Sequence, residues 1–294
     1  MNETKINALI ELLDDPDETV YGHISREIIT EGHRVVPRLE RAWLDGENPL
    51  QQTRIEELIH EIHFNWIRND LEQWVKNKSY DLVEASVFPA RYHYPQINAE
   101  DEITEPIGRL SRQVWLELND NLTPLEQVKV LNRVFFSLNK FTGSPENNFA
   151  IRNFFLNDVL RTRKGNAYSM SLLYLVIAQM NNLPVMGVNL PGHPLLCSLN
   201  RDLTPDRTSV ADFVSFYIDP SAGGNIFGKN DIMHFLAGRG VEPNPKYYIP
   251  ASNRIFFQRC LSHLALSYQK IKQATRVKEI NCLIDMLKSK GIKG

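Results

Sequence analysis

The sequence predicts an α+β protein whose helical ends flank a middle region that mixes one buried helix with short strands. Three observations predict this. The first third carries apolar residues at helical spacing. The middle holds an apolar run, Asn166 to Leu183, followed by short segments with strand character. The end returns to helical periodicity over two stretches joined by a short polar turn, which suits a helical hairpin.

In chain order, Ile6, Leu9, Ile10, Leu12 and Leu13 share one face of a first helix. Asp14-Asp15-Pro16-Asp17 stops it and starts a second, with Val20, Ile24 and Ile28 or Ile29 at helical spacing. Gly32 breaks that helix, Val36 to Trp43 begins the next, and Ile55, Leu58, Ile59 and Ile62 mark another. A phrase of Leu, Asp, a Pro-containing turn and a helix occurs twice, which fits a HEAT-type repeat or a plain helical bundle. Leu82 to Phe88 is compatible with a helix, Ala90 to Pro95 reads as irregular, and Glu102 to Leu118 reads as a helix with Trp115 on its apolar side. Thr123-Pro124-Leu125-Glu126 is a helix-start phrase, because Thr caps and Pro is pre-set for the first turn. Phe141 to Pro145 reads as a loop.

Asn166 to Leu183 follows Gly165, precedes Pro184 and carries Met170, Leu173, Tyr174, Ile177 and Met180 on a face, so it reads as a central helix. Val185–Leu190, Leu195–Leu199 and Phe213–Ile218 read as strands, with Arg201 to Thr208 as a polar hairpin tip. Ile255 to Ile271 and Thr275 to Lys288 form the final helices, a tetratricopeptide-like pair. The expected domains are residues 1–80, 81–250 and 251–294.

Composition narrows the function classes. Hydrophobic residues at 43% and charged residues at 23% are ordinary globular values, and a net charge of -2 gives no basis for non-specific attraction to nucleic acid or acidic membranes. No window approaches the ~18 consecutive apolar residues of a membrane span. The N-terminus leads into an amphipathic helix and not an apolar signal core. Cys197, Cys260 and Cys282 are too few and too scattered for a disulfide framework or a zinc knuckle. A cytoplasmic protein is expected, with no cofactor and no metal.

The chemistry-bearing residues cluster between Asn157 and Pro220. Asn157-Asp158-Val159-Leu160 precedes Gly165-Asn166-Ala167 at the helix start; Leu190-Pro191-Gly192-His193 and Tyr217-Ile218-Asp219-Pro220 follow. A helix N-terminus, then a strand His, then a strand Asp is the chain order of a papain-type site. There the helix dipole and an imidazolium stabilise a thiolate, the His moves the proton, and a carboxylate orients its ring. The arrangement resembles the transglutaminase-like branch of the papain-type fold, whose Gly-x-Cys reads here as Gly165-Asn166-Ala167.

Within that superfamily the chain is similar to the bacterial SirB-type family from Leu82 to Gly228. The resemblance implies a core of a buried helix on an antiparallel sheet, N-terminal helical repeats and a C-terminal helical pair. Members of that family commonly lack the Cys, typically with Pro in its place, so Ala167 differs from both patterns. Pro194 differs as well, since the family prefers an aromatic after the His.

The other hydroxyls and thiols near these motifs stand poorly placed as nucleophiles. Ser169 lies about 200° round the helix from Ala167. Ser171 is on nearly the same face but ~6 Å along the axis. Cys197 is ~13 Å from His193 along a strand, and a Tyr168 hydroxyl is a poor nucleophile at neutral pH. Singly, His193 also fits a hydrogen-bonded turn residue and Asp219 a turn cap. His60-Glu61-Ile62-His63 lacks the spacing of a metalloprotease helix and reads as an exposed face. Gly223-Gly224-Asn225 and Gly238-Arg239-Gly240 lack the spacing of phosphate loops, and Arg161 to Lys164 reads as a solvated basic run.

The expected function is a catalytically inactive transglutaminase-like protein that binds a protein or peptide around Ala167, His193 and Asp219. The alternative is an amidohydrolase or acyltransferase in which the His193–Asp219 dyad activates water or a displaced nucleophile.

Overall fold

The computed structural model describes residues 3–77, 81–200, 213–238, 240–242, 244 and 247–289. The polar segment Arg201 to Thr208, expected as a hairpin tip, and Arg239 of the second glycine pair lie outside them. Two compact units divide the chain, Met1–Gln73 and Trp74–Gly294.

In the first unit, Asp17 caps α2 (Glu18–Glu31) after α1 (Glu3–Glu11), its carboxylate accepting the Thr19 N–H at 2.7 Å. Gly32 ends α2 at φ 65°, a left-handed value that glycine adopts without strain. α3 (Val36–Asp45) follows, and then α4 (Pro49–Asn77), whose residues up to Gln73 belong to this unit. Ile6, Ile10, Leu13, Ile28, Leu39 and Ile55 are buried together. Arg54 is buried beside them, and its guanidinium is satisfied by the Leu13 carbonyl at 3.0 Å, the Asp15 carbonyl and Glu18 at 2.8 Å.

Two sequence expectations fail in this unit. Leu12 is 48% exposed, because α1 ends at Glu11 and the tighter turn Leu12–Asp14 rotates Leu13 inward in its place. His63 is buried and not on an exposed face, since it keeps helical register with Ile55 at i+8. It meets His33 edge-on at 5.0 Å between ring centroids, and burial pushes its imidazole down to about 4.

The second unit contains α5 (Leu82–His93), α6 (Glu105–Trp115) and α7 (Pro124–Asn132). It continues with β1 (Thr142–Gly143), α8 (Leu156–Thr162), β2 (Lys164–Gly165) and α9 (Ala167–Met180). β3 (Val185–Val188), β4 (Leu196–Leu199), β5 (Val214–Asp219) and β6 (Asn225–Phe227) come next. α10 (Lys229–Ala237), β7 (Pro250–Ala251), α11 (Asn253–Lys270) and α12 (Ala274–Ser289) complete it. Among the described residues, five strands form one antiparallel sheet in the order β6-β5-β4-β3-β7. Every residue of α9 from Tyr168 to Ala178 is buried, as its uniformly apolar sequence requires. The α11–α12 hairpin belongs to this unit, with α11 packed against α9, α5 and β3. The architecture is α+β.

Thr123 and Glu126 form a reciprocal capping box at the start of α7. Residues 90–93, read as irregular, instead continue α5 across Pro89. The interior proline costs roughly 3 kcal/mol, but the same turns bury Phe88, Pro89, Ala90 and Tyr92. Trp115 is 67% exposed and Met180 is 44% exposed, because each stands at the last residue of its helix, where the apolar face has run past its neighbours. The Phe141–Pro145 loop contains β1, which pairs in parallel with β2, Gly143 opposite Gly165. α10 is an element that the glycine-punctuated sequence did not suggest.

Candidate functional site

Ala167 is the first residue of α9. The Asn166 side chain caps the helix by accepting the Ser169 N–H at 2.9 Å, while the Asn166 Nδ2 stays buried without a partner. The first-turn N–H of Ala167 has no partner within the helix and donates to Asn148 Oδ1 at 3.3 Å. The β1–β2 pairing carries the chain past this helix start, and the Ser144 N–H donates to the Gly165 carbonyl at 2.9 Å. A Cβ on Gly143 would lie 2.3 Å from the Ser221 carbonyl oxygen, so β1 and the turn after β5 meet at backbone contact.

His193 lies in the turn after β3 and not on a strand, because Gly192 at φ 71° reverses the chain there. The turn is anchored from α9, where Ser171 Oγ donates to the Pro194 carbonyl at 2.8 Å. Asp219 is the last residue of β5. Its Oδ2 is 2.7 Å from His193 Nε2, and its Oδ1 accepts Ser221 N–H at 2.9 Å and Ser221 Oγ–H at 2.7 Å. A carboxylate only accepts, so Nε2 carries the proton and Nδ1 is the nitrogen left for other partners. Burial alone would raise the Asp219 carboxyl. The His193 hydrogen bond and charge and the Ser221 hydrogen bonds outweigh it, and the carboxyl sits below its ordinary value.

Gly143, Ser144, Asn148, Ala167, His193 and Ser221 line one cavity of about 150 Å³. The structure therefore brings Ala167, His193 and, behind it, Asp219 together. It separates the other hydroxyls and thiols from them. Ser169 is buried and donates to the Asn153 carbonyl at 2.6 Å, and Ser171 is spent on Pro194. Cys197 packs in the core with Tyr217 and Leu236, where burial pushes its thiol up to about 12. Tyr168 is buried against His263 with ring centroids 4.4 Å apart. In the basic run, Arg161 pairs with Asp158 at 2.5 Å and Arg163 lies over the Phe141 ring. Among the described residues, no group of three or more His, Cys, Asp or Glu is placed to hold a metal.

Sequence reasoning missed Ser144, Asn148 and Ser221. Ser221 carries a local signal, since an Asp followed two residues later by Ser is a common turn cap. Ser144 and Asn148 carry none. They reach the cavity through the β1–β2 pairing and through His263 of α11, whose Nε2 lies 2.9 Å from the Asn148 carbonyl.

A UPF0162 protein of Pasteurella multocida is 38% identical over 85 residues, 29% of this chain and 32% of that protein. A UPF0162 protein of Xylella fastidiosa is 26% identical over 202 residues, 66% of this chain and 67% of that one. F-box only protein 21 of Homo sapiens is 39% identical over 96 residues, 32% of this chain and 14% of that protein. The chain thus spans from about a seventh to two thirds of the length of these relatives. No solved structure matches it. The family model of the transglutaminase-like superfamily matches residues 101–262, more than half of the chain and the whole of the cavity described above. This chain belongs to the transglutaminase-like superfamily.

Proposed function

We propose that this chain is a non-catalytic member of its superfamily, of the SirB type, that binds a peptide or a segment of another protein in the Ala167–His193 cavity. The observation that carries the reading is the methyl group of Ala167 at the mouth of α9, in the same cavity as His193. A methyl group forms no covalent intermediate, yet the surrounding hydrogen bonds hold the cavity walls in place. In this reading the N-terminal helices are HEAT-like and the α11–α12 hairpin is tetratricopeptide-like, both providing protein-binding surface. The reading includes a reducing, cytoplasmic setting, supported by the free thiols of Cys197, Cys260 and Cys282. Among the described residues no helix is long and apolar enough to cross a membrane.

Peptides selected for binding to the wild-type protein test this. Their affinity should survive Ala167→Cys and fall on His193→Ala; affinity indifferent to His193→Ala would remove the cavity from the account.

A second reading is favoured by the 2.7 Å His193–Asp219 pair. An amidohydrolase or acyltransferase would use that dyad to activate water or a hydroxyl. Turnover of an amide or ester that disappears in His193→Ala would establish it in place of the first.

A further inference from the structure

Ser144 is only 9% exposed, lines the cavity, and its hydroxyl has no hydrogen-bond partner among the described residues. Unlike the enclosed Ser198 hydroxyl, the Ser144 hydroxyl opens to the cavity it lines, where a ligand can meet it. Beside it stands the N-terminus of α9, a fourteen-residue helix, whose first N–H is held by a 3.3 Å bond to Asn148 Oδ1, beyond the usual range. The third polar group is His193, with Nε2 committed to Asp219 and Nδ1 available.

We propose that this cavity receives a carboxylate presented by a peptide. The proposal rests on the binding reading above and names the group bound.

Ser144 offers an O–H and Ala167 an N–H, and His193 adds a third donor once Nδ1 is protonated. Ser221, by contrast, has committed its hydroxyl hydrogen to Asp219. Among the described residues, no Lys, Arg, Asp or Glu lines the cavity. The Ser144 hydrogen is uncommitted and the Ala167 N–H is held only at 3.3 Å, so an incoming acceptor can take both. The helix N-terminus adds roughly half a positive charge, which favours an anion. A carboxylate oxygen would replace Asn148 Oδ1 on the Ala167 N–H, and its mate would accept from Ser144 and His193. At about 150 Å³ the cavity is smaller than the ~300–1,000 Å³ that holds a drug-sized ligand, so it suits one terminal group of a larger molecule.

The test is a titration followed by the Ala167 amide resonance, with three probes. N-acetylglycine presents a chain-terminal carboxylate, N-acetylglutamic acid α-amide a side-chain carboxylate, and N-acetylglycinamide no carboxylate. Saturable shifts are expected with a carboxylate probe at an affinity at least about tenfold above the amide, the equivalent of ~1.4 kcal/mol. The tighter carboxylate names the source. Ser144→Ala, checked for an unchanged melting temperature, should lower that affinity by about tenfold, and Ser144→Thr should retain most of it. Equal responses to acid and amide, no response to either acid, or indifference to Ser144→Ala would overturn the proposal. Ammonia release from N-acetylglycinamide would instead contradict the non-catalytic reading, whatever the carboxylate comparison shows.

Discussion

Ser171 Oγ donates a 2.8 Å hydrogen bond to the carbonyl of Pro194, so a side chain one turn into α9 holds the residue next to His193. Ala167 and Ser171 stand four apart on one helix face, which places both beneath the same turn. The hydroxyl is positional and not nucleophilic, because its proton is spent on a backbone oxygen.

Ser171→Ala should therefore leave the Pro194 carbonyl without this partner and cost about 1–3 kcal/mol. Urea denaturation measures the loss. His193 ring resonances should broaden or shift in the same variant; an unchanged His193 environment would show that the turn is held by other contacts.

Asp219 gives a pH signature. Its folded-state carboxyl lies below the ordinary value, so its contribution is present above the unfolded value of about 3.9 and is lost as pH falls through the folded value. Asp219→Asn should destabilise the protein by about 1.5–3 kcal/mol near neutral pH, the range for hydrogen bonds to a charged group. The gap between wild type and variant should close in acid. A gap that stays constant with pH would assign the loss to packing.

Gly143 has no room for a side chain. In Gly143→Ala the new Cβ would meet the Ser221 carbonyl oxygen at 2.3 Å, and backbone on both sides must yield. A loss of about 1–3 kcal/mol is expected by thermal or chemical denaturation. Ligand affinity should fall as well, because Gly143 and Ser221 both line the cavity. Wild-type stability would mean that the two segments separate freely.

Helices α1 to α3, α9 and the final hairpin were legible because capping residues, glycines and apolar periodicity mark them locally. The first half of α5, Leu82 to Phe88, was legible too; its continuation past Pro89 was not, since the tertiary burial of Tyr92 overrides the local helix-breaking signal. His193, Asp219 and Ala167 were legible as a chain order, and the structure places the first two in contact. Ser144 and Asn148 were invisible, because a two-residue parallel pairing and a histidine from α11 bring them to α9. The burial of His63 follows from its helical register with Ile55 and not from its residue type.

The central claim is that this cavity retains its supporting groups and lacks only a nucleophile. Intact-mass spectrometry with a fluorophosphonate probe and with iodoacetamide tests it most directly, on wild type, His193→Ala, Ala167→Cys and Ala167→Cys/His193→Ala. Cys197 and Cys260 are buried with thiols pushed up to about 12, so background alkylation falls on Cys282. The wild type should form no adduct that depends on His193. Ala167→Cys should gain one rapid alkylation that slows in the double variant, as a thiol at a helix N-terminus beside a histidine does. A fluorophosphonate adduct on the wild type that vanishes in His193→Ala would contradict the account and establish a working hydroxyl nucleophile.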